Sequence, residues 1–277
     1  MNNLPKSLCV FILMGVLFFS PFQNILFAEA SSDEDKLNKE FLQNFGSDFV
    51  DVLVSPKNWK GKDFLNLSAV IGTGLLLYAV DQDIQQWVQD HRSSSSEDIF
   101  KAVTHLGDGV VLLGFMTALY VSGEVSDTNS LRKTALLSLE SWVTTGIIVR
   151  GLKSVVGRAR PWTGESSHSF HPFSTRSSFA SFPSGHASSA FAVAAVIADQ
   201  AKKVYIDILA YSLATLVAIS RVHIDKHWAS DVLVGSAIGY FVGKKICALD
   251  GDRDSNKVKL SFQLSRQRQA FSLTFSF

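Results

Sequence analysis

Six apolar stretches follow one another along the chain, at residues 65–80, 110–121, 136–149, 187–198, 206–219 and 232–246. Each is long enough for a helix and too long for a typical strand. Breakers separate them. Four serines at 93–96, followed by Glu97 and Asp98, read as a helix N-cap region, and the polar run 126–130 reads as a turn. The longest connection, 161–183, is rich in Ser, Phe and Pro, and loops of that length are usually functional or disordered. Ahead of the six stretches, residues 31–64 are polar and mixed, with a short helical pattern at 41–53. The pattern predicts an all-α fold, a helical bundle of about six core helices. In the last stretch Gly235, Gly239 and Gly243 recur every fourth residue, so one smooth helix face invites close approach of a neighbour.

Both ends of the chain depart from this pattern. Val258, Leu260, Phe262 and Leu264 alternate with polar residues, as do Phe271, Leu273, Phe275 and Phe277 after a polar turn at 265–269. Period-2 alternation around a turn predicts a small C-terminal β-hairpin. At the other end, Lys6, the apolar run 8–19 and the small-x-small triplet Ala28-Glu29-Ala30 form an export signal, the alternative being an uncleaved anchor. The expected organisation is a signal peptide at 1–30, a polar and helical extension at 31–64, a helical domain at 65–250 and a hairpin tail at 251–277.

Composition narrows the function classes. With 277 residues, 47% hydrophobic, the chain can bury one sizeable core. A net charge of +1 gives no global field for nucleic acid. Cys9 lies in the leader, which leaves Cys247 as a single thiol, and no CxxC or Cys/His cluster marks a zinc site.

The chemistry is carried by three clusters at the ends of predicted helices. They are Lys153 with Arg160-Pro161, then Pro183-Ser184-Gly185-His186, then Ser220-Arg221 with His227 and Asp231. Cations beside apolar helices are costly to bury unless an anion neutralises them, and the guanidinium fork matches phosphate oxygens. Ser184 and Gly185 immediately precede a helix, whose free N–H groups favour phosphate. His227 and Asp231 are four residues apart, so a carboxylate on one helix face can accept the Nδ1 proton and leave Nε2 nucleophilic. His186 is placed to protonate a leaving alcohol. Positioning and cations can stabilise a loose phosphoryl-transfer transition state, so no metal or other cofactor is expected.

The combined pattern KxxxxxxRP, PSGH and SRxxxxxHxxxD resembles the signature of the type-2 phosphatidic acid phosphatase and vanadium haloperoxidase superfamily, and all eleven specified positions are present in order. The resemblance covers roughly residues 65–246. It implies a helical bundle with its site at one end, His227 as nucleophile, Asp231 as its orienter and His186 as general acid. It also implies Lys153, Arg160, Ser184, Gly185 and Arg221 as phosphate binders. The implied activity is metal-independent hydrolysis of phosphate monoesters or pyrophosphates, of lipids such as phosphatidate, phosphatidylglycerol phosphate, polyprenyl pyrophosphate or lipid A. A broad acid phosphatase on soluble esters, a vanadium haloperoxidase and a non-catalytic lipid-binding envelope protein are the competing readings. The partner is then a phosphorylated lipid or small phosphate ester, with a membrane surface possible and no nucleic acid.

Other residues receive plainer readings. Arg158, beside the first motif, is expected in solvent. His223 and Asp225 read as loop polarity, and His168 and His171 as surface histidines. Trp162, Phe170, Phe173, Phe179 and Phe182 crowd the long loop, either as a wall for a lipid chain or as ordinary packing. The leader, together with the polar interruptions Asn66, Ser68 and Glu140, favours an exported bundle in the bacterial periplasm, soluble or membrane-associated, over an integral six-span protein.

Overall fold

The protein was analysed as a computed structural model, which describes the backbone of residues 36–267 and the side chains of residues 36–254. The helices are α1 (Lys39–Val54), α2 (Gly61–Ala79), α3 (Asp81–Asp90), α4 (Ser94–Val103), α5 (Gly109–Val125), α6 (Asn129–Val156), α7 (Gly185–Ala201), α8 (Val204–His223) and α9 (Ala229–Gln267). All six apolar stretches lie in helices, and the 41–53 pattern is α1. Short polar side chains start several of them: Asn38 accepts from the Phe41 N–H, Ser93 from Ser96 and Asp108 from Val110. The polar helix α3 lies outside the six apolar stretches; its first residue, Asp81, is buried.

The bundle is built around α7, which packs against α6, α8 and α9. The glycine face of α9 explains the closest of these contacts. A Cβ on Gly235 would sit 2.5 Å from the Ser184 carbonyl oxygen, one on Gly239 2.1 Å from that of Ser188, and one on Gly243 2.7 Å from that of Ala192. Both helices advance by four residues at each contact, so they run parallel and in register, backbone against backbone. Their N-termini therefore lie at the same end of the bundle. There the backbone N–H of Ser184 donates to the carbonyl of Asp231 at 3.0 Å.

The opposite end is held by ion pairs. Arg253 on α9 grips the buried Asp48 of α1 through two bonds of 2.6 and 2.8 Å, and Lys133 reaches Asp250 at 2.8 Å. The basic pairs Arg132-Lys133, Lys202-Lys203 and Lys244-Lys245 all fall at this end.

Between the ends, the outer helices present bare hydrocarbon. Leu65, Leu75 and Leu76 on α2, and Val204, Ile208 and Leu209 on α8, are all more than half exposed. Apolar surface on this scale marks contact with a membrane rather than with water. Residues 129–156, 204–223 and 229–254 are long and apolar enough to cross a bilayer. The bent pairs α2–α3 and 94–107 with α5 reach the same length and composition together, with bends of 61° and 55°. Membrane association thus follows from the surface, and the soluble form of the exported bundle does not fit it. Glu140, read as an interruption, faces inward and is buried.

The hairpin expectation is corrected. Residues 258–264, its first arm, continue α9 as helix to Gln267, and its second arm lies outside the described residues. A helix that already runs unbroken from Ala229 propagates easily through Lys, Leu, Gln and Arg, and period-2 polarity in so short a run does not stop it. Extended pairing among the described residues is confined to the isolated antiparallel bridge between Arg158 and Phe170. The expected signal peptide also lies outside the described residues.

The glycine contact can be tested directly. Gly239→Ala forces a methyl group into the α7 backbone and should destabilise the fold by about 1–3 kcal/mol. Gly146→Ala, whose Cβ meets nothing within 4 Å, is the control and should be neutral or mildly stabilising. Thermal unfolding in detergent reads both; equal midpoints for the two variants would remove the close-packing explanation.

Candidate functional site

Four helix termini meet at one end of the bundle: the C-termini of α6 and α8 and the N-termini of α7 and α9. The first sequence cluster follows from the end of α6, the second sits at the start of α7, and the third runs from the end of α8 to the start of α9. Lys153 lies in the last turn of α6. Its stem passes over Gly185, whose added Cβ would be 3.8 Å from the lysine Cε. Its ammonium donates to the carbonyls of Ala180 at 2.6 Å and Ser181 at 3.3 Å. Arg160 reaches the same Ala180 carbonyl at 3.3 Å. Arg221, near the end of α8, is buried and donates to Thr104 Oγ1 at 2.6 Å. Ser184 is the N-cap of α7, yet its hydroxyl makes no capping bond. That hydroxyl, together with Nε of Arg160 and Nε of Arg221, is buried and lacks a partner among the described residues. Donors buried in this way, next to the free N–H groups of a helix start, are suited to an oxyanion.

His227 is 2% exposed, in the connection between α8 and α9. Burial, reinforced by the fields of Lys153, Arg160 and Arg221, holds its pKa well below the ordinary 6.5. The imidazole is therefore neutral at neutral pH, the form in which Nε2 has a lone pair. Its Nδ1 lies 3.8 Å from Asp231 Oδ2, close enough for electrostatic pairing but longer than a hydrogen bond. The expected Nδ1–carboxylate bond is thus not formed in this state. The reason is competition: Oδ2 already accepts from the Ser181 hydroxyl at 2.5 Å and from the Trp228 N–H at 3.1 Å.

The other oxygen of Asp231 belongs to Arg158, whose expected exposure is corrected: only 1% of the residue is accessible. Its guanidinium donates to Asp231 Oδ1 at 2.6 Å, Asp81 Oδ2 at 2.8 Å, Ser230 Oγ at 2.8 Å and the Ser167 carbonyl at 2.9 Å. It also stands over the rings of Tyr78, at 4.9 Å, and Trp228, at 5.6 Å. Asp81 in turn accepts from the Ser230 N–H at 3.0 Å. A buried arginine survives only with its charge paired and its donors used, and the tertiary fold supplies both carboxylates. Asp81 is the residue that motif reading misses. It lies far from the clusters in sequence, at the start of a polar helix, and nothing local distinguishes it from an ordinary helix-start aspartate.

Gly157 makes the turn that brings Arg158 and Arg160 inward. It ends α6 with φ of 60°, and a Cβ there would lie 1.9 Å from the His171 carbonyl oxygen. The long loop is then tied to this turn by backbone bonds from Ala159 to Ser169, Arg160 to Ser178 and Ser181 to Arg158. His168 is exposed and edges on Tyr78, while His171 pairs with Glu165 at 2.8 Å. Neither histidine joins the cation cluster. His223 ends α8, is buried and meets Ser96 Oγ at 3.1 Å, rather than lying in a loop. Asp225 accepts from Gln85 at 2.8 Å. Of the loop aromatics, Phe170 and Phe182 line an apolar cleft, and Trp162 lies beneath Lys226.

Known proteins resemble this chain in sequence and fold. The family model described as the PAP2 superfamily matches residues 134–253. A lipid A 1-phosphatase of Rhizobium etli is 28% identical over 202 residues, covering 66% of this chain and 82% of that protein. Phosphatidylglycerophosphatase B of Bacillus subtilis is 33% identical over 189 residues, covering 64% of this chain and 85% of that one. Among solved structures, the transmembrane PAP2 type phosphatidylglycerolphosphate phosphatase from Bacillus subtilis superposes with a TM-score of 0.53 at 26% identity, over 66% of this chain and 95% of that chain. Motif, sequence and fold point the same way, and the chain belongs to the PAP2 superfamily.

Proposed function

We propose that the chain hydrolyses phosphate monoesters or pyrophosphates of lipids, through a phosphohistidine on His227 and without a metal. The observation that carries the reading is a neutral, buried histidine facing three cations at a junction of helix ends. Lys153, Arg160 and Arg221, with the hydroxyl of Ser184 and the N-terminal amides of α7 at Gly185, hold the equatorial phosphate oxygens. His227 Nε2 attacks phosphorus; an N–P bond forms as the ester P–O bond breaks. His186 gives its proton to the departing oxygen, the arrival of a dianionic phosphate beside it favouring its protonated form. Water then attacks the phosphoimidazole, returns a proton to His186 and releases inorganic phosphate. Asp231, pinned by Arg158 and Ser181, stabilises the imidazolium that develops on His227.

A lipid substrate is favoured over soluble esters by the hydrocarbon surface around the bundle and by the names of the relatives. The basic pairs at the end opposite the site suit the cytoplasmic side of a membrane, which leaves the site opening on the exported side.

Three outcomes test this reading. His227→Ala should lower phosphate release by about four orders of magnitude or more while leaving thermal unfolding unchanged, and rapid quench should trap an acid-labile phosphoenzyme in the parent. Normal turnover by His227→Ala ends the mechanism. Activity should survive EDTA and fall with vanadate, a mimic of the trigonal phosphoryl group; complete loss in EDTA that magnesium restores would refute the metal-free cradle.

Arg158 separates positioning from substrate contact. Arg158→Lys keeps the charge but loses the fork that spans both carboxylates. It should cut kcat by about 100-fold with little change in KM. A rise in KM alone would place Arg158 on the substrate instead. As for pH, the cations and burial keep His227 neutral as pH falls through 6.5, so the acid limb of kcat/KM that reports it lies below that value. Lys153→Ala removes one of those cations and should shift that limb upward.

A further inference from the structure

Behind the catalytic junction lies an apolar cleft of about 880 Å³, bounded by α2, α6 and α9 and closed at the far end by the turn after α1. Its walls include Leu67, Ile71, Ile148, Val234, Ala237 and Phe241. None of the cation-cluster residues lines it; its site-proximal end is made by Tyr78, Arg158 and Ser230, on the far side of Asp231 from His227. The cleft exists because α2 packs on α9 and stands away from α6. Its volume is at the upper end of small-ligand pockets, and an apolar space of this kind takes hydrocarbon rather than water.

The opposite end of the cleft is polar. Lys244, Lys245, Asn58 and Trp59 line it together with Asp63, whose carboxylate accepts from the Lys60 N–H at 2.8 Å as the cap of α2. Lys244 is paired with Asp199. Lys245 makes no ion pair among the described residues. A tryptophan beside an unpaired lysine, at the rim of an apolar slot between membrane helices, has the composition of an anionic headgroup site.

We propose that this cleft binds an anionic phospholipid from the leaflet opposite the active site. An acyl chain lies along α2 and α9 toward Tyr78, and the headgroup phosphate sits on Lys245. The lipid fills the gap between α2 and α6. It thereby fixes the α2–α3 junction, where Asp81 holds Arg158 and, through it, Asp231. The ligand is a phosphodiester lipid, distinct from the monoester that the active site would cleave, so its binding can be read without turnover.

The experiment uses the full chain in nanodiscs of phosphatidylglycerol or of phosphatidylcholine. Its readouts are thermal midpoint and lipid retained through delipidation, measured by native mass spectrometry. The parent should unfold at a higher temperature in phosphatidylglycerol and retain that lipid preferentially. Lys245→Glu should abolish the preference, lowering retention by about fivefold or more. Ala237→Phe, which fills the cleft, should reduce retention of both lipids. His227→Ala should bind as the parent does, so failure of the catalytic reading leaves this result intact. Equal midpoints in the two lipids, or an undiminished preference in Lys245→Glu, would overturn the proposal. So would a gain of retention on removing residues 1–30, which would make the leader the occupant. Ala237→Phe that raises KM only for a lipid monoester, and not for p-nitrophenyl phosphate, with retention unchanged, would instead assign the cleft to the substrate.

Discussion

The structure depends first on two parallel helices touching backbone to backbone. The three glycines of α9 meet the carbonyls of Ser184, Ser188 and Ala192 turn by turn. Small residues on both sides let the axes approach where hydrocarbon burial alone gives no drive for association. Because the helices run parallel, their N-termini coincide, and with them the positive ends of two helix dipoles. His186 and Ser184 come from one, Asp231 and His227 from the start of the other. A phosphate at that junction meets free amides as well as side-chain cations.

The second requirement is that Asp231 be held fixed while buried. A buried carboxylate needs its oxygens satisfied. Arg158 bonds it directly, and Asp81 balances the arginine in turn. The motif residues are thus the visible face of a deeper network, whose hidden members fix Asp231 beside His227. Asp231 is shared between Ser181, the Trp228 amide and Arg158, which leaves His227 Nδ1 at 3.8 Å.

The third feature is the division of the surface by function. The end with the candidate site gathers cations around a neutral histidine, the middle presents bare hydrocarbon, and the far end carries lysines and the Asp48–Arg253 clasp. That order suits a protein embedded with its site at one membrane face. It also places the apolar cleft between the two ends, in touch with Arg158 at one and with Lys245 at the other.

The sequence by itself determined the helices, the glycine face and the composition of the cation cluster, because helical period and motif spacing are local properties of the chain. Lys153, Arg160, Ser184, Gly185, His186, Arg221, His227 and Asp231 were all legible in this way, and the fold gathers them at one junction. The tail was misread for the complementary reason: alternation over 258–264 is a local signal, and the long helix preceding it overrode that signal. Only the tertiary structure decided the state of Arg158. A lone arginine next to a motif reads as solvated, since the Asp81 that makes its burial possible lies 77 residues away. Burial of a charge depends on partners brought from elsewhere in the chain, and no local pattern records who those partners are.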